Sequence, residues 1–152
     1  MAKALDVATY LMQLAAQEDE ADYLSPLRLQ KLLYYCQGWH LGLRGKPLFN
    51  DPIEAWIYGP VVPKIYAHFA DYGNIPIPDK AFSNKEPKLS KNECEFIQTV
   101  WEAYKGYSAI SLKEMTHKES PWMDAREGLA PTERGNNNIP HIAMKKFFKP
   151  AK

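Results

Sequence analysis

The segment 25–45, "SPLRLQKLLYYCQGWHLGLRG", constrains the fold more than any other stretch of the chain. Ser25 is a good N-cap, and Pro26 falls at the first helical position, where its missing N–H costs nothing. Gly45 can take the left-handed conformation that closes a helix. Between them Leu29, Leu32, Leu33, Cys36, His40 and Leu43 recur at helical spacing, which predicts a helix over 26–43 with that stripe inward. The period then changes. Residues 47–49 and 54–58 read as short extended runs around the turn-forming triplet Asn50-Asp51-Pro52, hence a small antiparallel β-hairpin. In the second run Ile53, Ala55 and Ile57 point one way, and Glu54, Trp56 and Tyr58 the other. Gly59-Pro60 turns the chain, and Pro63 opens a third helix with Ile65, Tyr66, Phe69 and Tyr72 inward and Gly73 at its end.

Further helices flank this unit. Residues 4–17 carry Leu5, Ala8, Leu11, Met12 and Ala15 on one face, followed by an acidic break at 18–22. A proline-rich, charged connection at 74–88 leads to Ser90 and Glu93, a capping box, with Leu89 placed to staple onto Cys94. The inward face of that helix is Cys94, Ile97, Val100, Trp101 and Tyr104. Ser111 and Glu114 read as a second box, with Ile110 stapled to Met115 and the helix ending near His117. Ser120-Pro121 starts a short turn through Trp122, "PTERGNNN" is a polar loop, and Pro140 opens a last helix with Met144, Phe147 and Phe148 inward. There is no internal repeat. The expected fold is mainly α (α+β): one compact multi-helix domain over 1–152, with a small antiparallel hairpin between the second and third helices. A chain of 152 residues is long enough to bury a core without staples.

Composition excludes several functions. With 19 Lys+Arg against 18 Asp+Glu, no global field attracts nucleic acid or membrane. Lys145, Lys146, Lys149 and Lys152 read as a solvated helix face. No apolar run reaches the length of a membrane span, and the N-terminal "MAKALDVATYLMQLAAQ" reads as an amphipathic helix, not a signal peptide. Cys36 and Cys94 form no CxxC unit and read as reduced thiols of a cytoplasmic protein. His40, His68, His117 and His141 match no zinc spacing, and no phosphate loop or nucleophile elbow occurs, so neither metal nor cofactor is expected. An enzyme would need a hydrolase site assembled from Cys36, His40 or His117 by folding. Two helices followed by a hairpin also match the parts list of a winged helix-turn-helix, but the second helix offers only Arg28, Gln30, Lys31 and Arg44 to a groove, sparser than a base reader needs. Binding to protein fits the aromatic content better, because Tyr and Trp supply rigid apolar area with one polar handle.

The fragments "LQKLLYY", "QGWHL", "KPLF", "IEAWIYGPVVP" with the tyrosine of "KIY", and "LKEMTHKESPW" follow in order over 24–126. Together they resemble the Panacea domain of SocA-like and GepA-like phage-associated proteins. Cys36 departs from the alanine expected there. The resemblance implies a non-enzymatic antitoxin of a type II toxin–antitoxin system, which neutralises a toxin encoded by the adjacent gene through direct binding. One branch of the family resembles a proteolytic adaptor that delivers its toxin to ClpXP, and some relatives add a DNA-binding domain, for which this chain has no spare length. Operon regulation is the rival reading, and self-association is left open. Placement on a hairpin face and at helix ends, together with the resemblance, makes Trp56, Tyr58, Tyr35, Trp39, Thr116, His117 and Trp122 the candidate partner-binding residues.

Overall fold

The computed structural model describes residues 1–19 and 23–150. In chain order its elements are α1 (Ala4–Glu18), α2 (Pro26–Arg44), β1 (Glu54–Trp56), β2 (Gly59–Val61), α3 (Pro63–Phe69), α4 (Lys91–Tyr104), α5 (Ala109–His117), α6 (Ser120–Ala125) and α7 (His141–Phe147). Of the acidic break at 18–22, Glu18 ends α1, and 20–22 lie outside the described residues, as does Lys152. No helix among the described residues is long and apolar enough to cross a membrane.

Helix α2 is the axis of the molecule. It packs against α1, α3, α4, α5, α7 and β2. Ser25 caps it as expected, accepting from the Arg28 N–H at 3.3 Å. Gly45 closes it at φ 76°, its N–H bonded to the Leu41 carbonyl at 2.9 Å. Thirteen of its 19 residues are buried, so it has no solvent face along most of its length. The expected inward stripe holds for Leu29, Leu32, Leu33, Cys36 and His40. Leu43 is a correction: it is 53 % exposed, because the last turn projects beyond the helices that surround the rest.

The hairpin lies between α2 and α3 but is built from other residues than expected. β1 pairs with β2, in the register Glu54↔Val61, Ala55↔Pro60 and Trp56↔Gly59, so Ile57-Tyr58 is the turn and Gly59-Pro60 belongs to a strand. Gly59, at φ 113°, lets the chain reverse immediately after Trp56. The run 47–49 lies against the N-terminus, where the Ala2 N–H donates to Leu48 O at 3.2 Å. The second edge of β1 is covered by the polar loop: Ala55 N donates to Asn137 O and Ile139 N to Ile53 O, both at 2.8 Å.

Helix α1 buries Ala8, Leu11, Met12 and Ala15 as expected, with Leu5 only partly covered. The Ser90–Glu93 capping box on α4 is present. Its buried face holds Ile97, Val100 and Trp101, adds Phe96, and leaves Cys94 and Tyr104 at the margin. Ser108, not Ser111, caps α5, and Ile110 is 62 % exposed, so no staple onto Met115 forms. Starting the helix three residues earlier rotates Ile110 outward. Ile65 and Phe69 of α3 are inward and Tyr72 packs partly on the core, but Tyr66 is 45 % exposed and faces the hairpin.

Helix α7 is fastened to α2 by one side chain. Phe148 enters the notch left by Gly38 and Gly42, one turn apart. A Cβ on Gly38 would stand 2.8 Å from the Phe148 Cζ, and one on Gly42 2.6 Å from the Phe148 carbonyl carbon. The ring is wrapped by Tyr34, Tyr35 and Trp39 at centroid distances of 5.5, 5.9 and 5.2 Å. Phe147, expected inward beside it, is 41 % exposed. In urea unfolding, Phe148→Ala should cost about 3–5 kcal/mol and Gly38→Ala about 1–3 kcal/mol. In the Phe148→Ala background the added Gly38→Ala methyl should cost much less, since nothing then fills the notch.

Candidate protein-interaction surface

Elements without long strands leave much irregular backbone to satisfy, and buried N–H and C=O groups need partners. Here the side chains of α2 supply them. Gln37 accepts from Leu48 N at 2.8 Å and Phe49 N at 3.3 Å, and donates to Phe49 O at 2.6 Å. Gln30 accepts from Val62 N at 2.7 Å. The His40 ring Nδ1–H donates to Lys46 O at 2.6 Å. Tyr34 and Tyr35 donate to the two carboxylate oxygens of Glu119, at 2.9 and 2.8 Å, and so tie the α5–α6 corner to the central helix. Burial raises the Glu119 pKa, opposed by these two hydrogen bonds.

Lys31 is the unusual member. Its side chain is fully buried and its ammonium donates to Pro60 O at 3.0 Å. A side chain at Gly59 would meet its Cε at 2.8 Å and Thr116 Oγ1 at 2.9 Å, so the hairpin turn is pressed onto the lysine. Burial, reinforced by Lys113, pulls the Lys31 pKa down to about 7. His117 stacks flat on Trp122, at 4.1 Å and 7°. Its Nε2 is buried without a hydrogen-bond partner. Burial and then Lys113, Lys31 and Arg126 lower its pKa.

The seven candidate residues divide by exposure. Tyr58 is 62 % exposed. Trp56 is half-buried, donates through Nε1 to Glu54 at 2.8 Å and meets Tyr66 edge to face at 4.9 Å. Trp122 is mostly buried and donates through Nε1 to Trp56 O at 2.8 Å. Thr116 is fully buried beside Gly59 and supports the hairpin from beneath, and Tyr35 is fully buried against Tyr104 and Phe148. Trp39 has separate neighbours, Tyr104 and Phe148. The hairpin thus brings Trp56, Tyr58, His117 and Trp122 into one region and leaves Trp39 and Tyr35 apart from it.

Beside that region lies a cleft of about 820 Å³. Its walls include Gln30 and Lys31 of α2, Trp56 and Tyr58 of the hairpin, Tyr66, and Lys113 of α5, with 134–136 at the rim. Cys36, His40 and His117 do not line it. Burial pushes the Cys36 thiol up, away from its reactive form. The groove-reading face also changes: Gln30 and Lys31, two of its four polar groups, are buried. Residue order alone pointed to none of Lys113, Glu119, Arg126 and Arg134, which act here through tertiary placement. Gln30 and Lys31 stood out in the sequence only as polar positions of α2 beside Arg28 and Arg44.

Two comparisons with known proteins bear on this arrangement. Residues 29–123 match the family described as "Antitoxin SocA-like, Panacea domain". The chain belongs to this SocA-like Panacea family. Antitoxin SocA of Caulobacter vibrioides (strain NA1000 / CB15N) is 33 % identical over 126 residues, covering 76 % of this chain and 66 % of that protein. The chain therefore spans just under two thirds of the curated relative it matches. No solved structure matches it significantly. The matched segment contains most of α2, the hairpin and the α5–α6 corner, the parts joined by the side chains of Gln30, Lys31, Tyr34 and Tyr35. It ends before α7, so the Phe148 fastening lies outside it.

The pH dependence of stability tests the buried lysine. With its folded pKa lowered from 10.5 to about 7, the unfolded chain binds the Lys31 proton over that window and the folded chain does not. Stability should therefore rise with pH from about 7 towards 10. Lys31→Met should be more stable than the parent at pH 7, and the gap between the two should close as pH rises to 9.5. Paired urea titrations measure that difference, which cancels the tyrosine and cysteine contributions common to both.

Proposed function

We propose that this chain is a non-enzymatic antitoxin that neutralises a co-encoded protein toxin by direct binding, through the region around the hairpin turn. The observation that carries the reading is the exposed aromatic rim. Tyr58 is 62 % and Tyr66 45 % exposed, and Trp56 packs against Tyr66. Exposed, fixed aromatic side chains beside a cleft are poor neighbours for water and good anchors for a protein partner. Their fixity has a cause in the fold: Trp122 and Arg126 hold the hairpin from below, donating to Trp56 O at 2.8 Å and Ala55 O at 3.1 Å.

Family membership supports an antitoxin role, and the relative's printed name is Antitoxin SocA. The burial of Thr116 beside Gly59 gives it a supporting part, with Trp56, Tyr58 and the edge of His117 in contact with the toxin. Truncating a central aromatic anchor typically costs about 2 kcal/mol or more. Co-expression with the product of the adjacent gene, followed by co-purification, provides the test. The parent chain should rescue growth and retain the product. Trp56→Ala and Tyr58→Ala should weaken retention by about tenfold or more, and His117→Ala by less, with unfolding midpoints near that of the parent. Lys91→Ala, an exposed change at the start of α4, should retain it fully. Full retention by both aromatic variants overturns the placement of the surface, and failure of the parent to bind overturns the antitoxin reading.

A further inference from the structure

The cleft beside the aromatic rim holds unbalanced positive charge. Among the described residues its lining includes Lys31, Lys113 and Arg134 and no Asp or Glu. The ion pairs among the described residues are Lys64–Asp51 and those of Lys105 with Glu18 and Glu102, so Lys113 and Arg134 join none. A run of surface lysines is ordinarily a solvated face, but Lys31 is out of water, its amine donating to the Pro60 carbonyl with N–H capacity to spare. Lys113 extends over the Tyr58 ring, its Nζ 5.9 Å from the centroid, so cation and aromatic rim form one surface. Arg134 is displayed by a fastened loop. The buried guanidinium of Arg126 donates to Ala55 O at 3.1 Å, to Ala130 O at 3.2 Å and to Glu133 O, which fixes the chain on both sides of the turn.

We infer that this cleft receives an acidic segment of the partner protein, a carboxylate held by Lys113 and Arg134 above the amine of Lys31, with a neighbouring apolar side chain against Trp56 and Tyr58. This rests on the reading of the hairpin region as the toxin-binding face, and adds the chemistry of what docks there. Charge complementarity selects the occupant: among the described residues the lining supplies the cations of Lys113 and Arg134 without a counter-ion, and a carboxylate supplies the missing charge. The volume, about 820 Å³, accommodates a few residues of an extended chain and lies within the roughly 300–1,000 Å³ typical of ligand clefts. A phosphodiester is less well matched, because the chain's net charge of +1 provides no wider field along which a nucleic-acid backbone would track.

The test has two arms. In the first, the full chain with ¹³C-labelled lysine is titrated with N-acetyl-Asp-Trp-amide, its Asn-Trp counterpart, and a dT oligonucleotide as the phosphodiester probe. The Asp peptide should shift the Lys31 and Lys113 signals. The Asn peptide, or the Lys113→Ser/Arg134→Ser variant, should bind about tenfold more weakly or worse. Equal binding of the two peptides, no shift at Lys31 and Lys113, or tighter binding of the oligonucleotide overturns the inference. Because both substituted side chains project from the surface, an unchanged unfolding midpoint is expected and is measured alongside. In the second arm, Lys113→Glu/Arg134→Glu is co-expressed with the adjacent gene product. Loss of retention is expected. Full retention overturns the acidic-segment inference and leaves the antitoxin reading standing. No retention by the parent chain overturns the antitoxin reading, while the peptide arm still decides the chemistry of the cleft.

Discussion

Gln37 offers its carbonyl oxygen to two backbone N–H groups of 48–49 and its amide to one carbonyl there. Two turns earlier on the same helix, Gln30 holds Val62. These bonds do the work that strand ladders do in a sheet protein. The described sheet has only two short strands, so the loops between helices find their partners on α2. Removing one such side chain leaves a buried peptide group unpaired, at a cost of about 1–3 kcal/mol. The hairpin, the α5–α6 corner and the 46–49 segment all take their positions from this helix, and the candidate surface depends on it in turn.

Lys31 shows the same logic at higher cost. A lysine out of water disfavours its own charge, and the fold retains it where the hairpin turn closes over it. Gly59 admits it, Pro60 accepts from it, and Thr116 stands beside it. Structural support and a hydrogen-bond donor at the cleft therefore come from one side chain. Tyr34, Tyr35 and Glu119 are the more ordinary arrangement, in which two phenols neutralise the isolation of one carboxylate.

The helices were legible because their signals are local. Ser25-Pro26, Gly45 and the Ser90–Glu93 box act within one turn of the residues that carry them. The hairpin was legible in place but not in pairing. Both 47–49 and 59–61 are extended enough to partner β1, and the choice was made by Gln37 engaging the first run and by the positive φ of Gly59 in the second. Tyr66 and Phe147 were misplaced because spacing treats aromatic residues as core, whereas each lies on a short helix whose outer side remains open.

Of the candidate surface, Trp56 was visible as one face of a strand, whereas Tyr58, expected beside it, lies in the turn. Arg134 and Lys113 were not visible, since they are separated by 21 positions in sequence and become neighbours only through the Arg126-fastened loop. By itself the sequence determined the helical elements, the position of the hairpin between the second and third helices, and the family, because caps, periodicity and an ordered set of short motifs are read along the chain. Tertiary structure alone decided how deeply Gln30, Lys31 and Gln37 are buried and that Lys113 and Arg134 line one cleft with Lys31. The physical reason is that burial and electrostatic potential are set by neighbours distant in sequence, and those neighbours are chosen only when the backbone groups of the whole chain have found their partners.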